Sequence, residues 1–379
     1  MSDMFNFIQN QPEVKIKTSK LIFFIIGTIA IVLTLIPFLK FDYWWVRMFD
    51  FPHLQLTYFS VFAFVLYLFK FNLKSKKDYV FIAILLVCTV YQVQRIFPYT
   101  QLSQYEVLNS SNGVESFSIL TCNVLQENNK IDLVKNEIRN RDADIILLTE
   151  TNDQWINSIS NYLKPKYGFS SSIALNNTYG MVLFSKLEMF DTKIKYLVSD
   201  SVPSIHTKIK LATNDTIQIF AIHPTPPIPH ENSMSSDRDT EMMMIAKKAL
   251  DSKYPVVTLG DFNDVAWSNT SKLFQDISRL LDVRKGRGLY NTYNAKSFIM
   301  RWPLDHIFIS SEFRLKSVMK CNDVNSDHFP LYTELTYEPD IKKSQERPYP
   351  SKTNLKNAED QIKEFKINDK RKKHERMVQ

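Results

Sequence analysis

The sequence predicts an α+β domain of layered sheets and helices, preceded by about three helices that could cross a membrane. Three observations lead to this prediction. Long uncharged stretches are confined to roughly the first 100 of the 379 residues. From about Glu106 onward, short apolar runs of strand length alternate with amphipathic stretches that have helical spacing. These strands and helices mix without a strict strand–helix–strand repeat, and this mixture indicates an α+β fold.

Three uncharged stretches predict the membrane helices. Residues 21–39 carry no charge, and their 19 residues would cover about 28 Å as a helix, close to a hydrocarbon core of ~30 Å. A cleaved signal peptide is the alternative, but its apolar core usually runs about 7–15 residues. Residues 51–69 form a second stretch, and residues 79–94 a shorter third one whose alternative is a buried soluble helix. We predict spans at about 21–39, 51–69 and 79–97.

Lysine and arginine residues predict the orientation of these spans, because short cytoplasmic loops are enriched in them. Seven of them lie on the side of the N-terminus and of the loop between the second and third spans: Lys15, Lys17, Lys20, Lys70, Lys74, Lys76 and Lys77. Three lie on the opposite side: Lys40, Arg47 and Arg95. We therefore expect a plasma or inner membrane protein with a cytoplasmic N-terminus and an extracytoplasmic main domain. Without the third span, the main domain would face the cytoplasm.

The net charge of +7 comes from the ends of the chain. Residues 101–338 carry 25 Lys and Arg against 28 Asp and Glu, so the globular part lacks the overall charge of an electrostatic DNA binder, although a local basic groove stays open. The seven glycines form neither a dinucleotide-binding nor a phosphate-loop motif, and three cysteines cannot build a disulfide framework.

The chain divides into three predicted regions: a membrane region at 1–100, a main domain at 106–337 and a charged, mostly disordered tail at 338–379 with a short helix near 358–366. Strands are predicted at 116–124, 144–149, 180–184, 204–210, 216–222, 256–259, 306–310 and 331–336, and helices at 132–139, 238–250 and 268–281. The segment 282–300 contains Arg284, Lys285 and Arg287 near two tyrosines, so it is either a basic, aromatic substrate patch or a solvated loop.

Polar residues fall at the ends of the predicted strands. Each one alone is typical of a cap or turn. Together they offer carboxylates, amides and imidazoles at successive strand ends, where a rigid sheet commonly holds catalytic groups. The residues are Asn123, Glu150, His223, Asp261, Asn263, Asp305, Ser326, Asp327 and His328.

The order of these residues resembles the endonuclease/exonuclease/phosphatase superfamily with the deoxyribonuclease-I-like fold. The motifs are GDFN (260–263), LDHIF (304–308) and SDHFP (326–330), preceded by the single positions named above. The resemblance covers about residues 116–336. The stretch HPTPP (223–227), followed by Arg238 and Glu241, resembles the bacterial membrane-anchored branch; a brace between that helix and the site loop is our interpretation of these two residues. The resemblance implies a four-layered α/β sandwich of two mostly antiparallel sheets flanked by helices.

The resemblance also implies metal-dependent phosphoester hydrolysis. The implied metal ligands are Glu150, Asn123 and Asp327, and this oxygen-rich set favours Mg²⁺ or Mn²⁺ over zinc. His328 is the candidate general base, because an imidazole titrates near neutral pH, and Asp305 matches the position that orients it. Asp261 and Asn263 are expected to position the attacking water, and His223 to donate a hydrogen bond to the phosphate.

Three functions follow as hypotheses. The first is a membrane-anchored, metal-dependent phosphodiesterase or endonuclease that acts on nucleic acid. The second is the same chemistry on phospholipid headgroups or small phosphate esters. The third, from another class, is a non-catalytic membrane protein that uses the fold for binding; the complete set of polar strand ends argues against it.

Overall fold

The computed structural model describes residues 12–39 and 41–378. They divide into two compact units, one formed by apolar helices up to residue 98 and the other by residues from Tyr99 onward together with residues 42–44. The first unit contains the helices α1 (Pro12–Leu35), α2 (Trp44–Arg47), α3 (His53–Leu68) and α4 (Lys76–Ile96).

Two helical segments, Thr18–Phe38 and Lys76–Tyr99, are long and apolar enough to cross a membrane. A third candidate exists if Trp44–Asp50 and His53–Leu68, which meet at an angle of 69°, together form one broken span. The break lies next to Pro52, whose missing N–H cannot continue a helical ladder. The first and third predicted spans thus coincide with continuous helical segments. The second predicted span, 51–69, overlaps His53–Leu68 alone, which is a candidate span only together with Trp44–Asp50.

Polar side chains connect the helices of this first unit. His53 Nδ1 lies 2.5 Å from Gln92 Oε1, and Gln92 Nε2 donates to Thr34 Oγ1 over 3.1 Å. All three side chains are buried. Hydrogen bonds of this kind hold apolar helices together where packing alone gives little specificity.

The second unit contains twelve strands in two sheets. The strands are β1 (Ser116–Asn123), β2 (Ile145–Thr149), β3 (Phe169–Ile173), β4 (Met181–Ser185), β5 (Met189–Tyr196), β6 (Pro203–Lys210), β7 (Thr216–Ala221), β8 (Val256–Asp261), β9 (Leu281–Asp282), β10 (Asp305–Ile309), β11 (Phe313–Lys320) and β12 (Leu331–Tyr337). The sheet orders are β11-β12-β1-β2-β4-β3 and β5-β6-β7-β8-β10-β9. Each sheet has one parallel pair, β1 with β2 and β7 with β8, and its other pairs are antiparallel.

Alternating apolar side chains stack the layers. In β1, Ile119 points into the core between the two sheets, and Leu120 points to the outer face, as the period of two in a strand requires. The outer face of the first sheet packs on helices α5 (Ile131–Arg141) and α6 (Asp153–Leu163), and that of the second sheet packs on α7 (Ser236–Leu250) and α8 (Asn269–Ser278). The result is two mixed sheets between two layers of helices, as predicted.

The segment after β12 differs from the expected disordered tail. A short 3₁₀-helix at Pro339–Ser344 is followed by the helix α9 (Lys352–Val378). Its Leu355, Ala358 and Ile362 pack against the apolar cluster of α7 and α8, and Ala358 is fully buried. Their spacing of three and four residues places them on one helical face. High charge around these three positions concealed this narrow apolar stripe in the sequence.

Helix α7 contains a buried carboxyl group, one oxygen of which forms no hydrogen bond with the described residues. Glu241 is buried, and its Oε1 has no hydrogen-bond partner among the described residues. Burial, together with the charge of Asp237, raises the pKa of Glu241 from 4.5 to about 8. The native protein therefore binds a proton here that the unfolded chain has already released at neutral pH. The contribution of Glu241 to stability therefore falls as the pH rises from about 4.5 to about 8.

Replacing Glu241 by glutamine tests this linkage. Between about pH 5 and pH 8, we expect the free energy of unfolding of the native protein to fall by a few kcal/mol relative to that of Glu241→Gln. Chemical denaturation of the full chain at both pH values measures the difference. Glu127→Gln, at an exposed position, is the matched control and should keep the native pH dependence. Equal pH dependence in Glu241→Gln and the native chain would contradict the assignment.

Candidate active site

The two parallel strand pairs place polar residues at corresponding ends of the two sheets. In the first sheet, Asn123 ends β1 and Glu150 directly follows β2. In the second sheet, Asp261 ends β8, and His223 lies two residues beyond the end of β7. Asp305 begins β10 and lies opposite Asp261 in the antiparallel register. The topology thus brings five of the sequence-predicted residues to one region.

Asn123 joins the two sheets within this site. Its Nδ2 donates to Glu150 Oε1 over 2.7 Å and to Asp261 Oδ2 over 3.0 Å. Its Oδ1 accepts from the backbone N–H of Leu125 over 3.0 Å, which fixes the amide plane. The side chain that the resemblance implied as a metal ligand therefore bridges two carboxylates.

Two histidines approach Asp261. The Nε2 atoms of His223 and His328 lie 3.6 Å and 3.5 Å from Asp261 Oδ2. On its other side, His328 Nδ1 lies 2.7 Å from Asp305 Oδ2, and this short contact sets the plane of the ring. The predicted pairing of His328 with Asp305 thus has the geometry of an oriented imidazole whose Nε2 faces the acidic cluster.

Ser326 connects the His328 loop to β1. Its hydroxyl donates to the carbonyl of Asn123 over 2.8 Å and accepts from the backbone N–H of His328 over 3.0 Å. Ser326 is buried. A single side chain therefore sets the distance between the end of β1 and the histidine.

The environment of the site shifts the pKa values of Glu150 and His328. Burial raises the pKa of Glu150, although the nearby His223 charge and the Asn123 amide oppose the shift. Burial alone would lower the pKa of His328, but the carboxylates of Asp305, Asp261 and Asp327 outweigh it and raise that pKa to about 10. The shift at Glu150 thus reflects burial, and the shift at His328 reflects the negative charge of the surrounding carboxylates.

The remaining predicted residues, Asn263 and Asp327, lie beside the cluster. Asn263 has a positive φ of 50°, its backbone N–H donates to Asp261 Oδ1 over 2.9 Å, and its Nδ2 donates to the Pro224 carbonyl over 2.9 Å. In this structure the amide therefore holds two loops together. Asp327 is half-buried, and its charge contributes to raising the pKa values of Glu150 and His328.

Gly260 explains why a glycine opens the GDFN motif. Its φ is +134°, and a Cβ at this position would lie 2.0 Å from the Ile222 carbonyl oxygen. A side chain has no room where β8 passes β7 this closely. The glycine thus permits the approach that brings Asp261 near His223.

The residues that satisfy the distance requirements of a metal site differ from the predicted ligand set. Oxygen or nitrogen atoms of Asp261, Asp305 and His328 lie within 4.8 Å of one another, whereas the resemblance implied Glu150, Asn123 and Asp327. Both sets belong to one cluster, because Asn123 links Glu150 to Asp261. Asp305 Oδ1 is buried and has no hydrogen-bond partner among the described residues. The surplus of carboxylate oxygens fits a hard divalent cation.

Two buried arginines hold the backbone behind the site. Arg238 Nη1 donates to the Asn263 carbonyl over 2.8 Å, so it braces α7 against the site loop as we interpreted it. Glu241, the second residue of that interpretation, has no hydrogen-bond partner at Oε1 among the described residues. Arg284 is fully buried, forms a two-pronged ion pair with Asp282, and donates to the Asp305 carbonyl over 3.2 Å. Arg284 therefore fits neither the substrate patch nor the solvated loop that we considered for its segment, because its charge is neutralised inside the protein.

Sequence reasoning missed Tyr179 as a residue of the site, and it named Tyr293 only as part of the aromatic segment 282–300, not as a neighbour of His328. The Tyr179 ring centroid lies 5.4 Å from that of His223, and the Tyr293 ring centroid lies 4.9 Å from that of His328. Tyr179 also donates a hydrogen bond to Glu231. Both tyrosines lie in irregular segments, and no spacing in the sequence distinguishes them from other loop aromatics.

Comparison with known families agrees with this geometry. The model of the Endonuclease/Exonuclease/phosphatase family matches residues 120–328, which is more than half of the chain. The chain belongs to this family. The matched range contains each of the predicted site residues from Asn123 to His328. The sequence matches no curated protein.

Solved structures with similar folds cover more than half of the chain. A functionally unknown conserved protein from Enterococcus faecalis V583 is 18% identical, with 58% of this chain and 100% of that chain covered and a TM-score of 0.48. The human Nocturnin catalytic domain is 17% identical (59% and 93% covered, TM-score 0.46). A family protein from Bacteroides thetaiotaomicron is 16% identical (59% and 99% covered, TM-score 0.46).

Ser326→Ala tests the link between β1 and the His328 loop. The substitution leaves the buried His328 N–H without its acceptor, so we expect a loss of about 1–3 kcal/mol in the free energy of unfolding. Chemical denaturation of the full chain measures it. Ser172→Ala, at an exposed position in the edge strand β3, is the matched control, with an expected change within about 0.5 kcal/mol. Equal effects at the two serines would show that the link contributes nothing specific.

Proposed function

We propose that the chain is a membrane-anchored, divalent-metal-dependent phosphodiesterase, with endonuclease activity as the first form to test. The observation that carries the proposal is the pairing of His328 with Asp305 over 2.7 Å, beside the Glu150 and Asp261 carboxylates that Asn123 bridges. An oriented imidazole next to clustered carboxylates is what metal-assisted hydrolysis requires. Family membership supports this reaction class.

The proposed cation is Mg²⁺ or Mn²⁺, because the candidate ligands are mostly oxygen atoms. Glu150 would hold it, with Asn123 and Asp327. Asn123 would serve as a ligand after its amide turns over, since Nδ2 now faces the carboxylates. When bound, such a cation neutralises charge on the phosphoryl oxygens.

The chain's own residues supply the proton transfers. With its Nδ1–H donated to Asp305, neutral His328 would accept a proton from the attacking water at Nε2 while the new P–O bond forms, the ester P–O bond breaks and the leaving oxygen takes a proton from solvent. The charge of a bound cation would offset the carboxylates that raise the pKa of His328, and so would favour this neutral form. Asp261, 3.5 Å from that nitrogen, would hold the water, with Asn263 supporting Asp261 from behind. His223, on the other side of Asp261, would donate a hydrogen bond to a phosphoryl oxygen.

Nucleic acid is the first proposed substrate class, and phospholipid headgroups or small phosphate esters are the alternative. The apolar helices at the N-terminus support attachment to a bilayer, in agreement with the bacterial membrane-anchored branch. The proposed division is a membrane region at 1–100, a catalytic domain at 106–337 and the segment 338–379, with the catalytic domain outside the cytoplasm.

Hydrolysis by the full chain in detergent tests the proposal. With Mg²⁺ present, we expect cleavage of plasmid DNA, of phospholipid in mixed micelles or of bis(p-nitrophenyl) phosphate. Both EDTA and His328→Ala should abolish it, with a loss of about two to four orders of magnitude for His328→Ala as general base. His230→Ala, at an exposed histidine, is the matched control and should keep full activity. Turnover that survives both EDTA and His328→Ala would overturn the mechanism.

Cysteine labelling in intact cells tests the orientation. The three native cysteines are buried, so an impermeant thiol reagent should react with an introduced one. We expect labelling of Thr213→Cys, in the exposed turn between β6 and β7, before lysis. Leu73→Cys, in the exposed loop between α3 and α4, should be labelled only after lysis. The reverse pattern would place the main domain in the cytoplasm.

A further inference from the structure

A loop beside the site exposes three consecutive apolar side chains. Residues 294–301 connect Tyr293 to Trp302, and at their tip Phe298, Ile299 and Met300 are 94%, 74% and 50% exposed. Single exposed apolar residues are common on protein surfaces, but a contiguous cluster indicates an interaction site.

The loop is ordered by its own hydrogen bonds. At its base, the backbone N–H of Tyr293 donates to the Trp302 carbonyl over 2.9 Å. Nearer the tip, the Met300 N–H donates to Ser297 Oγ over 2.9 Å, and the Ser297 N–H donates to the Asn294 carbonyl over 3.1 Å. The apolar side chains therefore project from a closed, hydrogen-bonded base.

This base also belongs to the site. The backbone N–H of Ala295 donates to the Asp327 carbonyl over 2.7 Å, and the Tyr293 ring lies against His328. A ligand bound at the tip would thus be held by a loop whose base contacts the candidate catalytic residue His328.

Basic side chains surround the apolar tip. Arg301 lies over the rings of Phe298 and Phe329, at 5.5 Å and 5.1 Å from their centroids. Lys320 is exposed, with its Nζ 4.3 Å from the Phe329 ring centroid, and Lys296 is exposed within the loop itself. Apolar residues flanked by cations match the interfacial region of a bilayer that contains anionic lipids.

We propose that the 294–301 loop inserts its tip into the surface of the bilayer. Three side chains of this size offer roughly 400–600 Å², short of the ~800 Å² per partner in a specific protein interface. A bilayer needs no matching partner surface, and the candidate spans of the same chain would keep one within reach. The inference rests on the proposed membrane anchoring and is independent of the proposed catalysis.

Fluorescence quenching on the full chain in nanodiscs tests the insertion. Phe298→Cys, Ile29→Cys and Thr213→Cys each introduce one exposed cysteine, which an environment-sensitive dye can label because the native cysteines are buried. The nanodiscs contain phosphatidylcholine, with or without phosphatidylserine, and a lipid that carries a doxyl quencher. We expect about twofold or greater quenching at Phe298→Cys, stronger with phosphatidylserine, together with protection from aqueous iodide. Thr213→Cys should show no lipid quenching and should stay accessible to iodide.

Ile29→Cys separates the two proposals, because Ile29 lies within the first candidate span. Without quenching at Ile29→Cys, the anchoring fails and the insertion fails with it. Quenching at Ile29→Cys but none at Phe298→Cys overturns the insertion alone. In that case, iodide protection at Phe298→Cys would assign the tip to a protein partner, and iodide access would leave it in water.

Discussion

The bridge that Asn123 makes between Glu150 and Asp261 is the interaction on which the arrangement of the site depends. Each sheet contributes one of the two carboxylates, and the amide of Asn123 lies between them. Two carboxylates that both lie within hydrogen-bond distance of one amide nitrogen repel each other unless a donor or a cation lies between them. The bridge therefore couples the packing of the two sheets to the electrostatics of the site, where burial raises the pKa of Glu150 and the surrounding carboxylates raise the pKa of His328.

Buried ion pairs support this arrangement from behind. Arg284 and Asp282 are both fully buried, and Arg238 lies buried against Asp239. Such pairs add little net stability, because desolvation offsets most of their attraction. These pairs instead position the backbone of the site, because Arg284 also donates to the Asp305 carbonyl and Arg238 to the Asn263 carbonyl. A lysine in place of either arginine could not make the same fork of directed contacts.

The sequence predicted the central strands of the two sheets and missed the edge strands. The eight predicted strands correspond to β1, β2, β4, β6, β7, β8, β10 and β12. The four missed strands, β3, β5, β9 and β11, are the edges of the two sheets. An edge strand such as β5, largely exposed, needs no continuous apolar run. The site residues were predictable because they terminate central strands. The contacts of Tyr179 and Tyr293 were not, because only tertiary packing creates them.

The buried His306 has a consequence for strand register. It follows Asp305 in β10, so the two side chains point to opposite faces of the sheet. His306 is held by Arg284 over 2.6 Å and by the Asp264 carbonyl over 2.9 Å. A slip of β10 by one residue would break both contacts and turn Asp305 away from His328. His306, which has no role in the proposed chemistry, thus fixes the register of β10, because a misaligned pairing of this strand would lose both contacts.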